Sequence, residues 1–407
     1  MNRHIALDLG TTTLAGRLLG PNGDVLLERQ IVNPQHQYGA DILMRLQQAH
    51  DGAGEELQAL LVIGLRSLVA ELVGKADCIS DDIVSIAVAG NPGMSCLLCN
   101  LPVSSLLFPP HKPPYKELLC IPVSEIDLGL AVPLYVFPLI SGFVGGDLVA
   151  CLLDLLDVQP GTLLIDIGTN AELALWDGSC WWVTSAAAGP AFEGGNIDTG
   201  MVLVDGAVTD VQLHGDRLQL TVAGGGQPRG LCGSGLAALV AVARQGGLID
   251  ASGRILSADE VETNLEHYLV ERDGSWALRF HRSAASELLL TQEDLRNFQL
   301  AKGAVQSGVQ VLLERGGFSP ENVSQVLVTG ALGTALPVEV LKRVALLPEP
   351  MLDKTSFIVN GVLAGLQSYL TAADGQRRLA DLLNTIQPFP LSGTPAFERL
   401  FMASLEF

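Results

Sequence analysis

Charged residues are few in this chain, and basic ones fewest. Asp, Glu, Lys and Arg make up 17% of 407 residues, with 24 Lys and Arg against 44 Asp and Glu, a net charge of −20. A typical soluble domain carries about 25% charged residues. The negative sign repels phosphate backbones and anionic bilayers, which excludes sequence-independent nucleic-acid binding and leaves no nucleic acid among the expected partners. An unbroken apolar span is missing too. Charge is absent from Ile83 to Pro110 and again between Asp127 and Asp147, but Asn91, Pro92, Asn100 and Pro102 interrupt the first stretch, and Pro133, Pro138 and Gly142 the second. Such breaks leave backbone groups unsatisfied in lipid, so both stretches read as buried strands and turns, with no membrane span. An export signal is not visible, since Asp8 and Gly10 fall where its apolar stretch belongs. Nor is there a disulfide framework: the seven cysteines are an odd number, scattered from Cys78 to Cys232, and only Cys96 and Cys99 stand close together. That usage fits a reducing compartment, and a cytoplasmic location is the expectation. Histidines form no pair with metal-ligand spacing, and no nucleophile-elbow sequence supports serine hydrolysis.

What is present is apolar. With 48% hydrophobic residues and a mean hydropathy of +0.35, most of the chain must be folded around a large core. The length exceeds twice that of a domain of about 150 residues, so two lobes are expected. An internal echo supports this. The segment from His4 to Leu19 runs apolar, Asp8-Leu-Gly-Thr11, apolar, and the segment from Thr162 to Trp176 repeats the plan around Asp166-Ile-Gly-Thr169. Each reads as a β-hairpin, closed by later turn signals at Gly20-Pro-Asn-Gly23 and Trp176-Asp-Gly-Ser179. Periodicity adds helices at 40–49, 55–73 and 291–315, a helix start at Gly233-Ser-Gly235, another helix after Gly361, and strands at 83–89 and 325–328. Strands followed by helices in both halves imply α/β layers. The expected division is a first lobe over 1–150, a second over 151–385, and a docked tail over 386–407.

A hairpin bent at Asp-x-Gly-Thr has a specific use. Gly10 and Gly168 let backbone N–H groups approach a phosphate, and Thr11, Thr12, Thr13 and Thr169, followed by Asn170, add polar donors. Asp8 and Asp166 precede the bends, where a carboxylate holds Mg²⁺, usually through water. A buried strand running into Gly330-Ala331-Leu332-Gly333 suits a purine or ribose laid on bare backbone, with a helix starting there. Gly233 and Ser234 offer a further glycine-rich helix start.

Two phosphate hairpins and a late glycine turn resemble the ASKHA superfamily, the duplicated ribonuclease H-like fold of actin, sugar kinases and heat-shock chaperones. More narrowly, Asn33-Pro-Gln-x-x-Tyr-Gly-Ala-Asp41, Gly142-Phe-Val-Gly-Gly-Asp147, Ile165-Asp-Ile-Gly-Thr-Asn-Ala-Glu172, Ala187-Ala-Gly-Pro-Ala-Phe-Glu-Gly194, Cys232-Gly-Ser-Gly235 and Gln299-Leu-Ala-Lys302 resemble the ATPase domain of reductive activators of corrinoid-dependent proteins. The resemblance runs from Ile5 to Phe407. It implies a two-lobed actin-like ATPase that binds Mg-ATP and couples it to re-reduction of a corrinoid, or other metallocofactor, protein from Co(II) to Co(I). The attacking water in such an ATPase needs an acidic or polar positioner. Asp147, which begins a helix, is the first candidate and Glu193 the second. In these activators a ferredoxin-like iron–sulfur domain precedes the ATPase. This chain begins at the first strand, so no iron–sulfur cluster is expected in it and a separate ferredoxin-type donor is. Cys96 and Cys99, paired across a possible homodimer, would offer four thiolates, but Met94, Leu97 and Leu98 around them argue for buried small residues. Gly90-Asn-Pro-Gly93 departs from the family's Asn-Thr-Thr and loses two hydroxyls. A small-molecule kinase of the same fold and a nucleotide-regulated binding protein with little turnover are the competing readings.

Overall fold

In the computed structural model, which describes residues 2–39, 41–75, 80–284, 286–330, 332, 336–391 and 393–407, the apolar runs around the first Asp-x-Gly-Thr become β1 (Arg3–Leu9) and β2 (Thr13–Leu19). They form an antiparallel hairpin extended by β3 (Val25–Val32). Ile5, Ala6 and Leu7 are buried in succession, as in a central strand covered on both faces. The Met44 amide donates to the Asp41 carboxylate (2.8 Å), capping α1 (Ile42–Gln48). A π-turn leads into α2 (Gly54–Lys75), whose Leu57, Leu61, Leu65, Leu68 and Leu72 form a fully buried stripe. The stretch Ile42–Lys75 is long and apolar enough by composition to cross a membrane, but this stripe is packed into the core that α2 shares with β1, β2 and β4 (Ile83–Gly90).

After β4 come α3 (Pro92–Leu98), α4 (Ser104–Leu107), β5 (Leu119–Ile121), β6 (Leu134–Val136) and α5 (Gly146–Leu153). The first sheet has the order β3-β2-β1-β4-β6-β5, with β4 parallel to both β1 and β6. The second Asp-x-Gly-Thr joins β7 (Thr162–Ile167) to β8 (Ala171–Trp176), again antiparallel, followed by β9 (Trp181–Ala186). Next come β10 (Ala207–His214), β11 (Arg217–Val222) and β12 (Gly230–Leu231), which share a small sheet, and α6 (Gly233–Gln245), buried continuously from Gly233 to Ala243. Strands β13 (Leu269–Arg272), β14 (Ser275–Arg282) and β15 (Glu287–Leu290) make another. Helix α7 (Gln292–Gly316) starts at a reciprocal capping box between Thr291 and Asp294 and stops where Gly317 turns left-handed. The rest is β16 (Gln325–Gly330), α8 (Val338–Arg343), β17 (Thr355–Phe357), α9 (Gly361–Thr371), α10 (Gly375–Leu383), β18 (Ile386–Pro388) and α11 (Pro395–Ala403). The second large sheet runs β17-β16-β7-β8-β9-β18, with β16 parallel to β7 and β17 parallel to β16. Both sheets therefore set a hairpin beside two parallel strands, β2-β1-β4-β6 and β8-β7-β16-β17. This is the duplicated α/β plan expected of the ASKHA fold.

Two compact units emerge: Met1–Val158 with Ser179–Val183 and Asn360–Pro388, and Gln159–Gly178 with Thr184–Val359 and Phe389–Phe407. The helix read after Gly361, α9, and the following α10 lie within the 151–385 assigned to the second lobe but group with the first unit. The cause is packing: α9 buries Val362, Leu363 and Leu366 and lies on β1, β4 and α5, and its Tyr369 meets the Phe137 ring edge-on at 5.2 Å.

Candidate functional site

In the first unit the carboxyl ends of parallel β1 and β4 lie side by side, with Leu9 paired to Gly90. Ligands in open α/β sheets gather at such strand ends. Asp8 is the penultimate residue of β1, and the turn Gly10–Thr12 follows it. Three carbonyls of that turn are held from below: Gly10 by the Asn33 side-chain amide (3.0 Å), Thr11 by Arg45 Nη1 (2.8 Å) and Thr12 by the Asn33 backbone N–H (2.9 Å). Asn91, at the end of β4, donates to the Thr11 hydroxyl oxygen (3.2 Å) and accepts from the Met94 amide (2.9 Å), so it caps α3.

The departure at Gly90-Asn-Pro-Gly93 has a local account. Pro92 occupies the first turn of α3, where its missing N–H is not needed. A Cβ on Gly93 would lie 2.3 Å from Ile42 Cγ1, so glycine lets α1 approach α3.

Gly145, packed on the Gly90–Asn91 turn, is the N-cap of α5, and Asp147 lies inside the first turn rather than at the cap. The Asp147 carboxylate accepts from the Leu148 amide (2.8 Å). Desolvation nevertheless pushes its pKa up to about 6, because burial outweighs the two backbone hydrogen bonds that favour the charged form.

The second unit repeats the strand-end arrangement: Ile167 of β7 pairs with Gly330 of β16, and Asp166 with Thr329. Gly330 adopts φ +90°, and a Cβ there would lie 2.4 Å from Asp166 Oδ1, so the glycine turn and the second Asp-x-Gly-Thr are pressed together. Within the hairpin the Gly168 amide donates to the Asn170 carbonyl (2.8 Å), and the Thr169 carbonyl accepts from Gly189 (2.8 Å). The Thr169 hydroxyl donates to Glu193. Glu193 is thus tied to the hairpin, at the end of a 3-10 turn whose Phe192 carbonyl abuts Gly233, the first residue of α6. Ser234 donates its hydroxyl to the Thr209 carbonyl (2.9 Å). Asp166, Gly168, Thr169, Glu193, Gly233 and Gly330 are therefore one neighbourhood.

Ala331 and Gly333 lie outside the described residues. The next described helix, α8, begins at Val338 after Pro337.

Sequence reading quoted Asn33 and Asn91 within motifs without giving them a role at the turn and passed over Arg45; the three are 0%, 9% and 1% exposed. The available signal was Arg45 itself, an arginine on the apolar face of a short helix just after the Asn33–Asp41 motif.

Among the described residues no three His, Cys, Asp or Glu side chains converge as a metal cage. A magnesium ion carried by phosphates needs only one or two carboxylates, and Asp8 and Asp166 are the penultimate residues of β1 and β7. Cys96 is buried and Cys99 half-buried. Burial pushes both thiols up to about 12, so neither is a reactive thiolate at neutral pH.

Two family models match this chain: one described as the C-terminal domain of RACo, the ASKHA domain, over residues 161–407, and one described as the RACo middle region, over residues 4–156. The "Corrinoid activation enzyme RamQ" of Eubacterium limosum is 27% identical over 420 residues, covering 99% of this chain and 70% of that protein. The "[Co(II) methylated amine-specific corrinoid protein] reductase" of Methanosarcina barkeri is 23% identical, covering 84% and 65%. A solved structure, "Reductive activator for corrinoid,iron-sulfur protein", superimposes with a TM-score of 0.91 at 26% identity, covering all of this chain and 66% of that one. This chain spans about two thirds of the length of these relatives.

Proposed function

The chain belongs to the RACo family, in its middle and ASKHA regions, and we propose that it is an ATP-dependent activator that restores a corrinoid protein from Co(II) to Co(I). The observation that carries this reading is the recurrence of a strand-end Asp-x-Gly-Thr turn in each unit, within a chain similar over 99% of its length to a corrinoid activation enzyme. In this reading the Gly10–Thr13 and Gly168–Asn170 turns hold nucleotide phosphates, with Gly233 and Ser234 beside the second. Asp8 and Asp166 hold the nucleotide's Mg²⁺, and the backbone at Gly330 receives the nucleoside. Mg²⁺ supplies charge neutralisation on the phosphates. Asp147 positions and deprotonates the attacking water, and Glu193 orients Thr169. The reducing electron comes from a low-potential iron–sulfur donor, and the setting is the reducing cytoplasm.

The test follows the visible spectrum of a Co(II) corrinoid protein in an anaerobic mixture of chain, ATP, Mg²⁺ and a low-potential iron–sulfur protein. Conversion to Co(I) only when chain and ATP are both present is the expected result, with Asp8→Ala and Asp166→Ala each slowing it at least tenfold. Stoichiometric phosphorylation of a small hydroxyl compound in place of cobalt reduction would sink this reading in favour of a kinase.

A further inference from the structure

Arg45 is 1% exposed, and its hydrogen bonds go to neutral acceptors: the Gly39 carbonyl (3.0 Å), the Thr11 carbonyl (2.8 Å) and Gln35 Oε1 (3.5 Å). Among the described residues no carboxylate hydrogen-bonds it. Asp41, the acid that acts on it electrostatically, is engaged as the cap of α1. A buried guanidinium without a hydrogen-bonded counter-ion carries a large desolvation cost.

The hydrogen bonds themselves say what the arginine does. In a trans peptide the C=O and the following N–H point in opposite directions. Holding the carbonyls of Gly10 and Thr11 on the Asn33 and Arg45 side therefore turns the N–H groups of Thr11 and Thr12 to the other side. Successive N–H groups aimed one way form a concavity for an anion. We propose that Arg45, assisted by Asn33, is a positioning residue for nucleotide phosphate: it sets the Gly10–Thr12 turn as an anion cradle and provides, from behind, the positive charge that the phosphate balances. The inference rests on the phosphate-binding reading above. Arg45 touches no ligand in this scheme and acts only through the turn.

Calorimetry on the full chain tests it with ATP, pyrophosphate and adenosine as probes. Arg45→Gln should lose roughly tenfold to a hundredfold in affinity for ATP and pyrophosphate, while adenosine binding stays within about twofold. Arg45→Lys, which keeps the charge but not the planar fork, should fall between them. A purely structural arginine would not separate phosphate-bearing probes from adenosine. A folded Arg45→Gln chain that binds ATP as tightly as the parent overturns the inference and leaves the functional reading standing. Arg45-dependent pyrophosphate binding in a parent that ignores ATP does the reverse, and a parent that binds neither overturns both. Should Arg45→Gln not fold, amide resonances of the parent decide: those of Thr11 and Thr12 shift on adding pyrophosphate, and no shift overturns the inference.

Discussion

Two opposing forces meet at Asp147. In the first turn of α5 the helix N-terminus favours a negative charge, yet desolvation wins and its pKa is pushed up to about 6. A carboxylate poised there is ionised at neutral pH and still basic enough to accept a proton. ATP hydrolysis should therefore rise with pH to a plateau above about 6, and Asp147→Asn should lower kcat at least about a hundredfold while moving KM less than about threefold. Stability runs the other way. A carboxyl whose folded pKa is raised holds its proton longer in the folded chain, so folding is favoured below the ordinary value near 3.8 and that contribution is lost as pH climbs through about 6. Asp147→Asn should then unfold roughly 2–4 °C higher than the parent at pH 8, allowing for the side chain's partial exposure, and the gap should close at pH 4. A variant that loses activity without this pH-dependent gain would mean that Asp147 is paired rather than desolvated. That Asp147 begins a helix was legible because the turn residues before it are local in sequence. Arg45 was not, because its partners Thr11, Gln35 and Gly39 are brought together only when α1 folds back over the first hairpin.

Among the elements, the long and strongly patterned ones were legible. The two hairpins, α2 with its leucine stripe and α7 with its Thr291 cap lie within a residue or two of their expected bounds. Short elements such as β5, β6 and β12 escaped notice because two or three residues carry no readable period. At the end of the chain, α11 lies along α7. The last residues cover Lys302, which is wholly buried, donates to the Glu406 carbonyl, and lies with Nζ 4.9 Å from the centre of the Phe407 ring. Desolvation pulls the Lys302 pKa down to about 8, with the Arg244 charge adding to that and Glu406 opposing it. Between about 8 and the ordinary 10.5 the unfolded chain holds a proton that the folded chain has released, so this lysine makes stability rise with pH across that window. Urea unfolding at pH 7.5 and 10 should show that rise in the parent and not in Lys302→Met. Phe407→Ala should cost about 1–2 kcal/mol at either pH by uncovering the same site. An identical pH slope in parent and Lys302→Met would assign the effect elsewhere.

For the whole molecule, linear order was a poor guide to grouping: α9 and α10 follow second-unit strands in sequence but bury their apolar faces in the first unit, a choice made by packing that no local pattern encodes. Family membership was readable because its motifs span the chain from Asn33 to Lys302 in order. What ATP accomplishes is a question at this scale. A nucleotide shifts a conformational equilibrium only by its difference in affinity for the two states, and an activator that uses ATP to engage a corrinoid protein must bind ATP and ADP unequally when that partner is present. With a net charge of −20 and few basic residues, the chain suits a protein partner better than a polyanion. Linkage then fixes the size of the effect in both directions. If ATP tightens binding of the Co(II) corrinoid protein by some factor, the corrinoid protein must tighten ATP binding by the same factor, typically about 5- to 150-fold. Titrating nucleotide into the chain with and without a saturating corrinoid protein, and the corrinoid protein into the chain with and without a slowly hydrolysed ATP analogue, measures both arms. Equal factors above unity support an ATP-driven change of state. A factor of one in both arms, alongside undiminished ATP turnover, would mean that hydrolysis is not coupled to the partner through binding.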